Sequence, residues 1–240
     1  MRDRKLLIVK TGSAEPALRT RRGDFEDWIR DGMQAVTGET RVVNVREGGV
    51  LPEPESVRGV VVTGSTAFVS ERESWSTQTE DWLRPVVAAG VPVLGICYGH
   101  QLLAQALGGR VGPNPRGREM GTVRVDLGEA VRARDPLLGR LPKIASVQAT
   151  HVESVLCVPE AATRLGFNAA DDNHALRYGP RAWGVQFHPE FDADVMRVYL
   201  EQRSDVLRSE GFDPARMART IRDSSEGSAL LRRFGEIVRG

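Results

Sequence analysis

Cysteine is scarce in this chain, with only Cys97 and Cys157. Two thiols cannot make a metal cluster by themselves, and a disulfide framework is excluded. Nor is there a surplus of either charge. Lys and Arg total 33 against 32 for Asp and Glu, a net charge of +1. Sequence-independent nucleic-acid binding would need a marked basic excess. Long apolar runs are missing too. The longest, Val86 to Cys97, is interrupted by Gly90, Pro92 and Gly95, and a bilayer span needs roughly 20 apolar residues. The N-terminus is basic, but its apolar run is far shorter than the roughly 7–15 residues of a secretory signal. No phosphate-binding Gly-x4-Gly-Lys-Ser/Thr loop, dinucleotide fingerprint or Ser-Gly-Gly-x-Asp-Ser loop occurs, so no nucleotide cofactor is expected. The expectation is a cytoplasmic α/β enzyme with free thiols, without cofactor, metal, nucleic acid or membrane.

What is present is an alternation of β-branched runs and helix-period segments through the first 110 residues, the pattern of a parallel sheet with helices on its faces. Strands are expected at Leu6–Val9, Val42–Val45, Val60–Thr63 and Val91–Ile96. Asp24 is placed to cap a helix whose apolar face is Phe25, Trp28, Ile29, Met33 and Val36. Thr77 with Glu80 fits a capping box, and Pro85 should kink that helix or shift its start. Gly99–Leu107 reads as a helix stopped by Gly108 and Gly109. From Arg110 to Phe187, short strands near 122–125, 144–147, 155–158, 163–167 and 183–187 suggest an antiparallel addition. After Asp192 the chain is helical again. Val195, Met196, Tyr199, Leu200, Val206 and Leu207 share a face, Asp213-Pro214 starts a helix, and Ser228 caps the last one. No repeat or long linker separates domains. The expected fold is a flavodoxin-like, doubly wound, mostly parallel sheet with an antiparallel extension: a catalytic domain over 1–192, with C-terminal helices (193–240) packed on it.

The chemistry centres on Gly95-Ile96-Cys97-Tyr98-Gly99, between a buried strand and a helix. A nucleophile on such a turn is strained and exposed, and glycines relieve the crowding. A helix N-terminus also favours thiolate. The same pentapeptide fits a small buried core cysteine. The second element is Phe187-His188-Pro189-Glu190 at the end of an apolar strand. His188 suits a general base at neutral pH, and Glu190 is close enough to orient its ring. Alone, His-Pro-Glu is an ordinary turn. Both elements, however, close strands on the side where doubly wound sheets bind ligands, and that coincidence favours an enzyme.

Gly95-Ile96-Cys97-Tyr98-Gly99-His100-Gln101 together with Gln186-Phe187-His188-Pro189-Glu190 resembles the paired signature of class I glutamine amidotransferases. The similarity is nearest to the glutaminase part of GMP synthetase and to stand-alone γ-glutamyl peptidases. The resemblance implies Cys97 as nucleophile, His188 as general base and acid, and Glu190 as its partner. It implies Gln101 as a contact for bound glutamine. It also implies an oxyanion hole from the Tyr98 amide and the Val62-Thr63-Gly64-Ser65 loop, with Gly64 and Ser65 as its candidates. Ser65 stands where Gly-Gly-Pro forms have a second glycine, as in the peptidase branch. Thr150-His151-Val152-Glu153 is similar to the family's Ser-His-x-Asp segment, which places His151 near the substrate's α-groups.

Three functions follow as alternatives: a glutaminase passing ammonia to a separate synthetase partner, a stand-alone γ-glutamyl hydrolase, or a binding module with a silent triad. His100 is expected to be solvated or to serve packing, His174 to sit in a polar turn, and Cys157 to be inert core. Arg19, Arg21 and Arg22 form either a solvated basic loop or a steering patch for an anion.

Overall fold

The computed structural model of the protein describes residues 4–34, 40–129 and 134–240. Five strands, β1 (Lys5–Lys10), β2 (Thr40–Asn44), β3 (Val57–Val62), β4 (Val93–Ile96) and β11 (Ala182–Val185), run parallel. Four more, β6 (Glu119–Leu127), β7 (Ile144–His151), β9 (Thr163–Phe167) and β10 (Ala175–Arg177), join antiparallel. Together they form one sheet in the order β2-β1-β3-β4-β11-β10-β9-β6-β7. β5 (Arg110–Pro113) and β8 (Glu153–Cys157) make a separate two-stranded ribbon.

The parallel strands are apolar at nearly every position because both faces are covered. Leu6, Ile8, Val61, Leu94 and Ile96 point into one core layer. That layer is completed by α2 (Phe25–Met33), α5 (Ala193–Gln202) and α8 (Ser225–Arg239). Leu7, Val9, Val60, Val62 and Val93 point into the other, shared with α3 (Ser74–Ala88) and α4 (Tyr98–Ala106). Trp183 and Phe234 meet edge to face in the first layer, 6.4 Å apart, and neither is more than 1% exposed. Burying such a side chain contributes roughly 1.5–3 kcal/mol. No helix among the described residues is long and apolar enough to cross a membrane.

Several local expectations are corrected. α3 begins at Ser74, not at Thr77. Thr77 Oγ1 donates back to the Ser74 carbonyl (3.0 Å), and Glu80 faces inward, paired with Arg72 at 2.5 Å. An ion pair between exposed Arg72 and buried Glu80 thus takes the glutamate that a cap would have used. The helix also runs past Pro85 to Ala88. The shared face after Asp192 breaks at Arg203 into α5 and α6 (Ser204–Ser209), which leaves Val206 exposed while Leu207 is buried. α7 (Pro214–Ala218) starts as expected, with the Asp213 side chain accepting from the Arg216 amide. α8 starts at Ser225, one turn before Ser228, because Ser224 is drawn to the Ser146 carbonyl at the edge of β7. Cys157 is exposed at the end of the ribbon strand β8, not in the core. Val36 lies outside the described residues.

Asp24 does more than cap. It accepts from the Phe25 amide (2.8 Å), the Ala14 amide (2.6 Å) and Lys10 Nζ (2.8 Å), while Asp27 reciprocates to its own amide (3.0 Å). It thereby ties β1, the segment leading into α1 (Pro16–Arg22), and α2 together. Burial opposes its charge, but the bonds from Ala14, Lys10 and Phe25 outweigh that and hold the carboxyl below its ordinary range. Asp24→Ala should lower stability by about 1–2 kcal/mol in urea unfolding. The contribution is fully present above the unfolded carboxylate pKa of about 3.9 and is lost as pH falls through the lower folded value. The gap between wild type and variant should therefore close in strong acid.

Candidate active site

Cys97 sits between β4 and α4 with φ 51° and ψ −101°. This is left-handed backbone, which costs a non-glycine residue of order 1–3 kcal/mol. Its surroundings impose the bend. A Cβ on Gly95 would lie 2.4 Å from the Gly99 carbonyl oxygen, and one on Gly99 would lie 2.4 Å from the Val62 carbonyl oxygen. Only glycine lets the strand end, the turn and the first turn of α4 approach β3 so closely. The Cys97 amide donates to the Val185 carbonyl (2.8 Å), and the thiol makes a weak contact with the Thr150 carbonyl (3.8 Å).

His188 follows β11, the strand next to β4. Its amide donates to the Gln148 carbonyl (2.7 Å), its Nδ1 bonds Glu190 Oε1 (2.8 Å), and its ring stacks on Phe191 at 4.1 Å. The Glu190 side chain has no exposure. Burial works against a charge on His188, yet Glu190 and the neighbouring Cys97 raise its pKa to about 10. The imidazole is thus held protonated through neutral pH. Gly64, at the end of β3, covers the pair. A Cβ there would come 2.8 Å from His188 Cε1 and 3.8 Å from Cys97 Cβ.

A cavity of about 190 Å³ opens beside Cys97, lined by residues 65–68, Tyr98, Gln101, Arg118, 150–153 and Arg203. Ser65 Oγ is turned into its own loop, donating to the Thr11 carbonyl (2.7 Å). The Tyr98 side chain points away, bonded to Ser76 Oγ (2.6 Å) and stacked on Trp75. Its amide, at the first position of α4, has no acceptor within the helix. Gln101 Nε2 donates to the Glu153 carbonyl (2.8 Å) and to Gln186 Oε1 (3.0 Å). His151 lines the cavity with both ring nitrogens engaged, Nδ1 on the Glu153 carbonyl and Nε2 on Glu119 Oε2, each at 3.0 Å. Neither nitrogen is left for a ligand. The Glu153 carboxylate is likewise spent, accepting from the Val69 amide (2.9 Å) and from Ser70 Oγ.

Other expectations are refined here. His174 does close a polar turn, the one before β10. It is fully buried, with Nε2 2.6 Å from Glu119 Oε2, and Asn168 Nδ2 donates to Glu119 Oε1 (2.7 Å). Burial disfavours a charge on Glu119, but bonds from His151 and His174 hold the carboxyl well below its ordinary range. Glu119, His151 and His174 are the one group among the described residues whose donor atoms, within 4.8 Å, could share a cation. Instead they bond to each other. His100 is buried between the Asn173 carbonyl (2.9 Å) and Tyr178 Oη (3.1 Å), and burial pushes its imidazole down to about 4, so its role is neutral packing. Arg19, Arg21 and Arg22 lie on a helix, α1, rather than in a loop, and Arg22 and Arg21 are paired. They clasp Asp192 and Asp194 at 2.6 Å each and pin α1 to the start of α5, while Arg19 is exposed.

The profile described as "Glutamine amidotransferase class-I" matches residues 24–204. The chain belongs to this family. It is 30% identical over 145 residues to γ-glutamyl peptidase 5 of Arabidopsis thaliana, covering 60% of this chain and 58% of the peptidase. To a glutamine-hydrolysing GMP synthase of Thermomicrobium roseum it is 37% identical over 184 residues, 76% of this chain and 32% of the synthase. It therefore spans less than two thirds of either relative. In fold it is similar to a glutamine amidotransferase of Thermotoga maritima, with a TM-score of 0.76 at 24% identity over 99% of both chains. Sequence reasoning missed several residues around the site: Thr11, Arg118, Glu119, Gln148 and Arg203. None carries a local motif, and their roles arise only once strand register brings them together. Glu119→Gln removes the charge between two buried histidines and should cost about 3–5 kcal/mol in thermal or urea unfolding.

Proposed function

We propose that the protein hydrolyses γ-glutamyl amides, glutamine among them, through a γ-glutamyl thioester on Cys97. The observation that carries this is the buried Glu190–His188 pair set against the strained cysteine. An imidazolium beside a thiol favours the thiolate, the nucleophilic form. The sulfur attacks the δ-carbonyl carbon, and backbone amides at Tyr98 and in the Gly64–Ser65 loop hold the oxyanion. His188 gives its proton to the departing nitrogen, and the C–N bond breaks to leave the thioester. His188, now neutral, takes a proton from water, whose oxygen attacks the same carbon. The thioester C–S bond breaks, glutamate leaves and the thiolate–imidazolium pair is restored. Glu190 keeps the ring oriented throughout. Arg118 and Arg203 on the cavity wall suit the α-carboxylate of a glutamyl group.

A second reading, hydrolysis of γ-glutamyl peptides, draws on the likeness to a γ-glutamyl peptidase and on the Gly64-Ser65 form of the loop. Glutamate release from glutamine and from γ-glutamyl dipeptides, measured on the same preparation, separates the two. Stimulation by cell extract would identify a separate ammonia acceptor. Cys97→Ala should lower kcat by about 10⁴-fold or more for whichever substrate is used. If wild type releases no glutamate and Cys97 resists a glutamine-like electrophile, a silent binding site replaces this reading.

The pH profile tests the role of Glu190. The proton that His188 delivers is lost as pH rises through its raised folded value of about 10. Glu190→Gln removes a raising influence, so the alkaline limb of kcat/KM should move to lower pH and kcat should fall by about 100-fold or more. Coincident limbs in the two proteins would contradict the assigned role.

A further inference from the structure

Two buried hydroxyls lie against the Gly64 carbonyl. Thr63 Oγ1 donates to it (3.0 Å), and Thr11 Oγ1 lies 3.1 Å away. Both threonines have no exposure. The Thr11 amide donates to Thr63 Oγ1 (3.0 Å), and the two hydroxyl oxygens are themselves 3.1 Å apart. The Thr11 hydroxyl has the Thr63 carbonyl at 2.9 Å as well as that of Gly64. Ser65 Oγ closes the clasp by donating to the Thr11 carbonyl and accepting from the Ala67 amide (3.1 Å).

A trans peptide is planar, so a carbonyl and the following N–H point in opposite directions. Fixing the Gly64 oxygen on the threonines therefore turns the Ser65 N–H to the other side. Cys97 and His188 flank Gly64, and Ser65 lines the cavity together with Cys97. Among the described residues the Ser65 amide donates to no protein acceptor. Flipping this peptide would take the Gly64 acceptor from the Thr63 hydroxyl, buried where water has no access, and turn an N–H toward both threonine oxygens.

We infer that Thr11 and Thr63 are positioning residues that lock the Gly64–Ser65 peptide with its N–H toward Cys97. Half of the oxyanion hole is then built into the free protein, and no partner is needed to turn it. This rests on the hydrolase reading above.

The test replaces each hydroxyl by a methyl group of similar size, in Thr11→Val, Thr63→Val and the double variant. Three quantities are read on folded protein: kcat and KM for glutamate release, inhibition by a γ-aldehyde analogue of glutamate, and the rate of Cys97 alkylation by iodoacetamide. The thiolate adds to the aldehyde carbon, and the resulting oxygen takes the oxyanion position. The double variant should lose about 100-fold in kcat, with KM within about threefold. Aldehyde inhibition should weaken by a similar factor, alkylation should be unchanged, and Thr→Ser at both positions should restore most activity. A double variant that keeps wild-type kcat and aldehyde inhibition overturns the lock alone, and so does a parallel loss of alkylation rate. Should the valine variants not fold, wild type decides: free protein that binds the aldehyde no more tightly than glutamine also overturns it. A wild type that neither turns over γ-glutamyl amides nor alkylates at Cys97 removes the hydrolase reading and the lock together.

Discussion

The backbone at Cys97 is the constraint on which the rest of the site depends. A sulfur at the end of an inner strand would normally point along the sheet or into a core layer. Here the strand end, α4 and β3 approach at backbone distance through Gly95 and Gly99, and the residue between them is forced into left-handed space. Strain of this kind persists only where neighbouring structure over-determines it. The neighbouring parallel strand then delivers His188 to the same end of the sheet, and a buried carboxylate fixes its ring and charge. Chemistry and topology meet because β4 and β11 are adjacent, although 91 positions separate Cys97 from His188 in the sequence.

Behind this pair stand two further polar layers with different tasks. Thr11, Thr63 and Ser65 form a neutral hydroxyl clasp that orients a peptide. Glu119, His151, His174 and Asn168 form a charged network that joins β6 and β7 to the loop before β10. Buried polar groups are tolerable only when nearly all of their hydrogen bonds are made. Both layers approach that condition, and they make one wall of the cavity stiff. The opposite kind of group, the paired arginines Arg118 with Glu210 and Arg203 with Glu15, lies nearer the surface and leaves the cavity rim polar.

How much of this could be read from the amino acids depends on range. The parallel strands were legible because they are continuously apolar, and the turn at Cys97 because a glycine stands two residues to either side of it. The His-Pro-Glu element gained meaning only as the second half of a pair. Thr11, Glu119 and His174 were illegible, since each acquires its partner through strand order and register, which no local pattern encodes. Helix starts failed for a related reason. Glu80 and Ser228 satisfy capping patterns, but an ion pair from Glu80 to Arg72 and a contact with the edge of β7 set the actual starts. The arginine segment was ambiguous until Asp192 and Asp194, more than 160 positions away, supplied its counter-charges.

The ionic state of the central pair is open to direct observation. Nitrogen NMR of the imidazole side chains, with His188→Gln to assign the resonance among four histidines, reports whether both ring nitrogens of His188 carry protons. At neutral pH the wild-type ring should be doubly protonated. A neutral His188 ring there would contradict the imidazolium on which the proposed chemistry depends.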